Sequence, residues 1–216
     1  MTNKVIILNF SFFFYFFFLF FFHCNKLGWV DAVSRIVSDR ILKEMVFGAP
    51  LEVVLRREKR LQSGIPKVVQ DCVELLKKDI NNLSTDGIFR VTGNTTVTQQ
   101  MQHMVDHDKG KCTYDLESLK PGVHELTTVL KLYFRELPNP LIPFKFYDSF
   151  VEVGKEQLTG TNYVNKISNE LKNFPSENLK LLSYLLNFLN LVGSYSEKNR
   201  MKVHNLGIVF GPTLLR

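Results

Sequence analysis

Residues 5–22 read VIILNFSFFFYFFFLFFF, a stretch without a charge in which only Asn9, Ser11 and Tyr15 carry polar side-chain groups. Such a stretch has no face to offer water, and its length matches the roughly 20 apolar residues that cross a bilayer. It cannot be an ordinary surface element of a soluble domain, so the chain has to be read as two unlike pieces. Ten of the 19 Phe lie within 10–22, and the whole-chain figures of 45% hydrophobic and 22% charged over 216 residues average across both pieces.

Two readings of the first piece stay open. As a membrane-spanning helix it is preceded by Lys4 and followed by Lys26, Arg35, Arg40 and Lys43. That excess of positive charge on the C-terminal side would leave the body of the chain in the cytosol. As a translated pyrimidine-rich intron tract it would carry the residues observed, because Phe, Ser, Tyr, Leu, His and Cys share pyrimidine-rich codons. Natural spans mix Leu, Ile and Val rather than repeating Phe, which favours the second reading. A cleaved signal peptide fits poorly, since His23, Cys24, Asn25 and Lys26 offer no small-x-small site. Residues 1–26 are therefore set apart as a Phe-rich segment. Residues 27–46 form a lead-in, expected to be helical, with Val30, Val33, Ile36, Val37 and Ile41 at helical spacing.

From Leu27 onward the composition is ordinary. Setting aside Lys4 and Lys26 takes the formal net charge from +6 to +4, mildly basic and not the footprint of a nucleic-acid binder. The densest basic run, Arg56, Arg57, Lys59 and Arg60, has no interleaved aromatic for base stacking and reads as a solvated turn or helix face. Cys72 and Cys112 are far apart and form no C-x-x-C, which fits a reduced, cytoplasmic protein. His103 and His107 are four apart with Asp106, Asp108 and Cys112 nearby, but the run lacks the Glu of an H-E-x-x-H site. It reads as a polar helix end, and no metal site is expected. There is no G-x-x-x-x-G-K-[ST] loop and no G-x-S-x-G elbow, so no phosphate cradle or activated serine is expected.

Apolar residues recur with helical period and no period-two run occurs, so the fold class is all-α, a helical bundle. A first helix follows Pro66 and carries Val68, Val69, Cys72, Val73, Leu75 and Leu76. Residues 85–90 break the pattern as a turn. A second helix carries Val97, Met101, Met104 and Val105 and ends near Gly110, and a loop runs on to Pro121. A third spans Val123–Glu136 and stops at Pro138-Asn139-Pro140. Others start at Pro143, around Val164, at Ser176 and near Arg200; the one at Ser176 is very apolar over 179–192 and is expected to be central. On the third helix Leu126, Val129, Leu130, Tyr133, Phe134 and Leu137 share one face, and His124, Thr127, Thr128, Lys131 and Arg135 the opposite one. Lys131 and Arg135, four apart, project two cations from the same surface, an arrangement suited to an anionic partner.

Three motifs in order carry a specific resemblance: Gly87-Ile88-Phe89-Arg90, then 131–141 (KLYFRELPNPL), then 205–215 (NLGIVFGPTLL). With Phe47-Gly48-Ala49-Pro50-Leu51, Ile65-Pro66 and 196–201 (SEKNRM), they resemble the GTPase-activating (RhoGAP) domain for Rho-family small GTPases. The resemblance implies an all-α RhoGAP-type bundle over 47–216. It also implies stimulation of GTP hydrolysis by Rho-, Rac- or Cdc42-type small GTPases in their GTP-bound state, which switches off their signalling. In that family Arg90 matches the arginine finger, inserted in trans into the partner's active site. Lys131 matches a residue that helps dock the GTPase, Arg135 one that helps hold the finger loop, and Asn205 one that contacts the switch region. Gly87, Pro138 and Pro212 match structural positions. The chain would be an enzyme activator without a cofactor of its own, because GTP and Mg²⁺ come with the partner.

Departures from the family pattern are Thr92 where Ser is common and Gly207 where Ala is common. The family continues through a further helix beyond position 216, so the domain is expected to lack its C-terminal end. Two other readings remain: a binding module of the same fold without activity, which the retained Arg90, Lys131, Arg135 and Asn205 disfavour, and a membrane-anchored scaffold dominated by the Phe-rich segment.

Overall fold

The computed structural model describes residues 44–155 and 161–215. The Phe-rich segment and all but the last three residues of the lead-in lie outside them. Among the described residues no helix is long and apolar enough to cross a membrane, and every regular element is helical. In chain order these are α1 (Leu51–Arg57), α2 (Lys67–Lys77), α3 (Ile80–Leu83), α4 (Thr95–His107), a 3₁₀ turn (Leu116–Leu119), α5 (Val123–Glu136), a 3₁₀ turn (Phe144–Phe146), α6 (Tyr147–Lys155), α7 (Thr161–Leu171), α8 (Ser176–Ser194), α9 (Ser196–Asn199) and α10 (Val203–Leu214).

Local chemistry explains the boundaries. Pro66, with φ fixed near the helical value, precedes α2 and has no N–H to leave unsatisfied. The Asn94 side chain accepts hydrogen bonds from the N–H groups of Thr96 and Val97 and so caps α4. Leu137 turns to ψ 128° after α5, as expected of a residue preceding proline. The short α1, α3, α9 and the Leu116–Leu119 turn were not anticipated from periodicity, because one or two turns of helix are too short to show it.

The central element is α5, which packs against α2, α4 and α10. Its predicted apolar face is buried throughout. Thr127, expected on the polar face, is also fully buried, and its hydroxyl turns back to the His124 carbonyl at 3.0 Å. With neighbours on several sides, even part of the polar stripe is covered. The expectation that the very apolar α8 would be central is corrected by the same packing. Leu186 on α8 is 50% exposed, and it flanks an apolar groove between α8 and α10 lined by Leu189, Val203, Leu206 and Phe210. Hydrophobicity along a helix registers how much apolar surface it carries, not how many helices surround it.

Three polar anchors set the architecture around the site. Asp106 accepts hydrogen bonds from the N–H groups of Val46 (2.8 Å) and Phe47 (3.0 Å), while the Phe47 ring stands edge-on to Tyr133. Burial pushes the Asp106 carboxyl up from its usual range. The sequence around His103 and His107 is thus a structural anchor, and no cluster suited to a metal ion occurs among the described residues.

Asn199, at the end of α9, is fully buried. Its amide nitrogen donates to the carbonyls of Leu83 (2.8 Å) and Val192 (2.9 Å), and its amide oxygen accepts from the Met201 N–H (2.8 Å). One side chain thereby joins α3, α8 and the approach to α10. Replacing Asn199 with Ala would leave the buried Leu83 carbonyl and the Met201 N–H without these partners, while the Val192 carbonyl keeps the Tyr195 N–H. A loss on the order of 3 kcal/mol is expected, readable in urea unfolding of the full chain.

Glu58 is buried after α1, with Oε2 accepting from the Lys67 N–H at the start of α2 at 2.7 Å. Burial pushes its carboxyl up to about 7, against the opposing pull of the Lys67 N–H and Arg60. The folded state therefore holds this proton across a pH range where the unfolded chain has released it. Stability from this group is fully present below pH 4.5, the unfolded value, and is lost as pH rises through about 7. Denaturation midpoints should fall between pH 5 and pH 8, and Glu58→Gln should flatten that slope.

Gly207 lies in mid-helix in α10, where an added Cβ would meet nothing within 4 Å. Gly207→Ala should raise stability by about 0.5–1 kcal/mol, measurable as a higher thermal midpoint.

Candidate functional site

The segment between α3 and α4 is a tight loop whose backbone is tethered and whose one cationic side chain, Arg90, is exposed. Gly87 and Phe89 both sit at φ 69°, the left-handed region open to Gly and costly for an aromatic residue. The N–H groups of Arg90 and Val91 both donate to the Gly87 carbonyl, at 2.8 and 2.9 Å. What holds Phe89 there is burial. Its ring is fully enclosed, edge-on to Phe188 of α8 and Phe210 of α10 at centroid distances of 6.1 and 5.0 Å. Ile88 is fully buried beside it. The next residue, Arg90, is exposed. Its guanidinium folds back across Gly87, with Nη2 3.4 Å from Asp86 Oδ1.

Four tethers hold the loop backbone. The Gly87 N–H donates to the Asn199 carbonyl at 2.9 Å. Lys131 Nζ donates to the Phe89 carbonyl at 2.6 Å. The Gly93 N–H donates to Thr128 Oγ1 at 3.0 Å, and the Asn94 N–H to Glu125 Oε1 at 2.7 Å. Three of these partners lie along α5, and two of them, Thr128 and Lys131, belong to the polar stripe seen in the sequence. The approach is close at Gly93, where a Cβ would fall 2.5 Å from the Glu125 backbone nitrogen; only glycine fits there.

Burial, and then the neighbouring Arg135, holds the Lys131 ammonium below its usual range. Arg135, one turn on, is exposed at the same surface. The resemblance gives the loop-holding role to Arg135 and docking to Lys131, whereas the loop contact found here belongs to Lys131. The loop runs beside the first part of α5, and Arg135 lies a turn beyond it. Asn205 is in the first turn of α10, half-buried, with its amide 3.3 Å from the Arg200 carbonyl. Arg200 in turn places its guanidinium 3.7 Å from Asp86. The structure thus links Arg90, Gly87, Lys131 and Asn205 around one loop. Pro138 is exposed just past α5, and Pro212 lies within the last turn of α10, where its missing N–H leaves the chain near its helix end.

The sequence reading missed Asn199, Thr128, Gly93 and Asp86. Thr128 lay in the polar stripe without a role, and Asp86 and Gly93 bracket the turn motif. Asn199 lay in the 196–201 motif of the resemblance but without a role, because a buried Asn looks like any loop Asn until its partners are placed. Chemically, the site offers an exposed guanidinium on a rigid base with a second cation behind it. It presents a positive charge to a partner rather than a nucleophile to a substrate.

The family model described as "RhoGAP domain" matches residues 66–216. The chain is 34% identical over 193 residues to Rho GTPase-activating protein 24 of Homo sapiens, covering 87% of this chain and 24% of that protein. It is 37% identical over 171 residues to WW domain-containing protein tag-325 of Caenorhabditis elegans, covering 79% of this chain and 19% of that protein. The chain therefore spans about a quarter or less of the length of these curated relatives. Among solved structures it is similar to human Rho GTPase activating protein 15, with TM-score 0.72 and 34% identity over 81% of this chain and 79% of that one. With the helical fold and the three motifs gathered at one loop, these similarities show that the chain belongs to the RhoGAP domain family.

Proposed function

We propose that this chain stimulates GTP hydrolysis by a Rho-, Rac- or Cdc42-type small GTPase in its GTP-bound state, with Arg90 as an arginine finger supplied in trans. The observation that carries the reading is the pairing of a buried Phe89 with an exposed Arg90 on a loop tethered at Gly87, Phe89 and Gly93. GTP hydrolysis builds negative charge on phosphate oxygens in the transition state, and a slow GTPase lacks positive charge there. A guanidinium is planar, permanently charged and forked, so it contacts two oxygens at once. A rigid loop base lets that charge be positioned without ordering the loop at the moment of reaction, which is the electrostatic preorganisation that such catalysis depends on.

Lys131 fixes the Phe89 carbonyl and adds charge behind the finger. Arg135, exposed one turn away, faces the GTPase, and Asn205 meets its switch region. The chain is an activator that completes its partner's active site; Mg²⁺, GTP and the water-positioning Gln belong to the partner. The free thiols of Cys72 and Cys112 fit a reducing compartment, and the protein acts in the cytoplasm.

The test is GTP turnover by a panel of small GTPases, with wild type and Arg90→Ala at saturating concentration. Wild type should accelerate at least one GTPase, and Arg90→Ala should lower that acceleration by about 10³-fold or more while most of the binding remains. No acceleration of any panel member by the wild type would refute the reading.

A further inference from the structure

The carboxylate of Asp86 lies between two guanidinium groups. Arg90 Nη2 is 3.4 Å from Oδ1, and Arg200 Nη1 is 3.7 Å from Oδ2. Asp86 and Gly87 are adjacent in the loop, and Asn199 and Arg200 are adjacent in the turn before α10. The two pairs meet twice, once through the Gly87 N–H and the Asn199 carbonyl at 2.9 Å and once through the Asp86–Arg200 ion pair. Arg200 sits at φ 60°, and its carbonyl accepts from the Asn205 amide at 3.3 Å. Its position is therefore set by the anchored Asn199 on one side and by α10 on the other.

In this arrangement Arg90 is parked. Its guanidinium lies folded over Gly87, where a Cβ at that position would be 3.2–3.3 Å from its nitrogens, and it is bound to the carboxylate four residues upstream. To reach a partner's phosphates it must leave Asp86, which strands a carboxylate beside the path of the finger. Arg200 already faces the other oxygen of that carboxylate. We infer that Arg200 is a positioning residue for the finger: it holds Asp86 when Arg90 departs, and so lowers the cost of extending Arg90. The inference rests on the finger reading given above.

Because all three side chains are more than half exposed, the coupling is that of a screened surface pair, and Arg200→Ala should lower the saturating hydrolysis rate by about two- to fivefold. The affinity for the GTPase loaded with a non-hydrolysable GTP analogue should stay within about twofold in the same variant, since the energy in question is that of one such exposed pair. Arg200→Lys should recover most of the rate, because it keeps the charge facing Asp86. Adding Asp86→Asn to Arg200→Ala should restore the rate, because the carboxylate that retains Arg90 is then gone. A general folding defect would be compounded by the second substitution rather than rescued by it.

Three results would overturn the inference: an unchanged rate in Arg200→Ala, a loss confined to affinity, or no recovery on adding Asp86→Asn. A second readout does not depend on activity. In the free full-length chain, the Nε–Hε NMR signals of both Arg90 and Arg200 should shift on Asp86→Asn, and that of Arg90 should shift on Arg200→Ala. Silent signals would overturn the shared carboxylate even if the wild type is active. If the wild type accelerates no GTPase, the finger reading fails by itself and the arginine signals still decide whether Asp86 bridges the two.

Discussion

The buried amide of Asn199 is the contact on which the site depends most. It sits where three helices and the loop carrying Arg90 converge, and its side-chain amide and main-chain carbonyl have fixed partners: Leu83, Val192 and Met201 through the side chain, Gly87 through the main-chain carbonyl. A buried polar group is costly unless satisfied, and once satisfied it allows few alternative arrangements. Asn199 therefore contributes less through net energy than through specificity. It admits one placement of the loop relative to α8 and α10, and the Phe89 ring completes that placement by filling the space between Phe188 and Phe210.

The loop mounts an exposed guanidinium on a tethered backbone. Phe89 and Arg90 are neighbours with opposite fates, one wholly enclosed and one in solvent. The backbone at Phe89 is left-handed. Its strain is held by the aromatic packing and by Lys131 at the Phe89 carbonyl. The central helix α5 does two jobs. One face is the core of the bundle, and the other is a rail along which Glu125, Thr128 and Lys131 pin successive points of the loop.

Much of this was legible in the sequence where a repeating signal existed. The α5 boundaries, its apolar face and the turn at 85–90 followed from helical periodicity and from the prolines at 138 and 140. The cationic pair Lys131 and Arg135 stood out because two like charges share a surface. The short α1, α3 and α9 were not legible, since one or two turns show too little periodicity. The centrality of α5 over α8 was not legible either, because both carry enough apolar residues to be central. Thr127 misled in the same way: a hydroxyl that can bond its own helix tolerates burial, so its polarity did not mark solvent.

By itself the sequence determined that the region from Phe47 onward is a helical bundle, that it carries no nucleophile or metal cluster of recognisable spacing, and that its motifs match the RhoGAP family in order. Those features are local: each rests on spacing within one turn or one helix. Only the tertiary structure decided which residues act on Arg90. Asn199, Lys131, Gly93 and Arg200 lie tens of residues or more than a hundred from the groups they hold. Their roles come from hydrogen bonds and charge contacts that operate over about 3–4 Å, and proximity at that range is a property of the packed bundle, not of spacing along the chain.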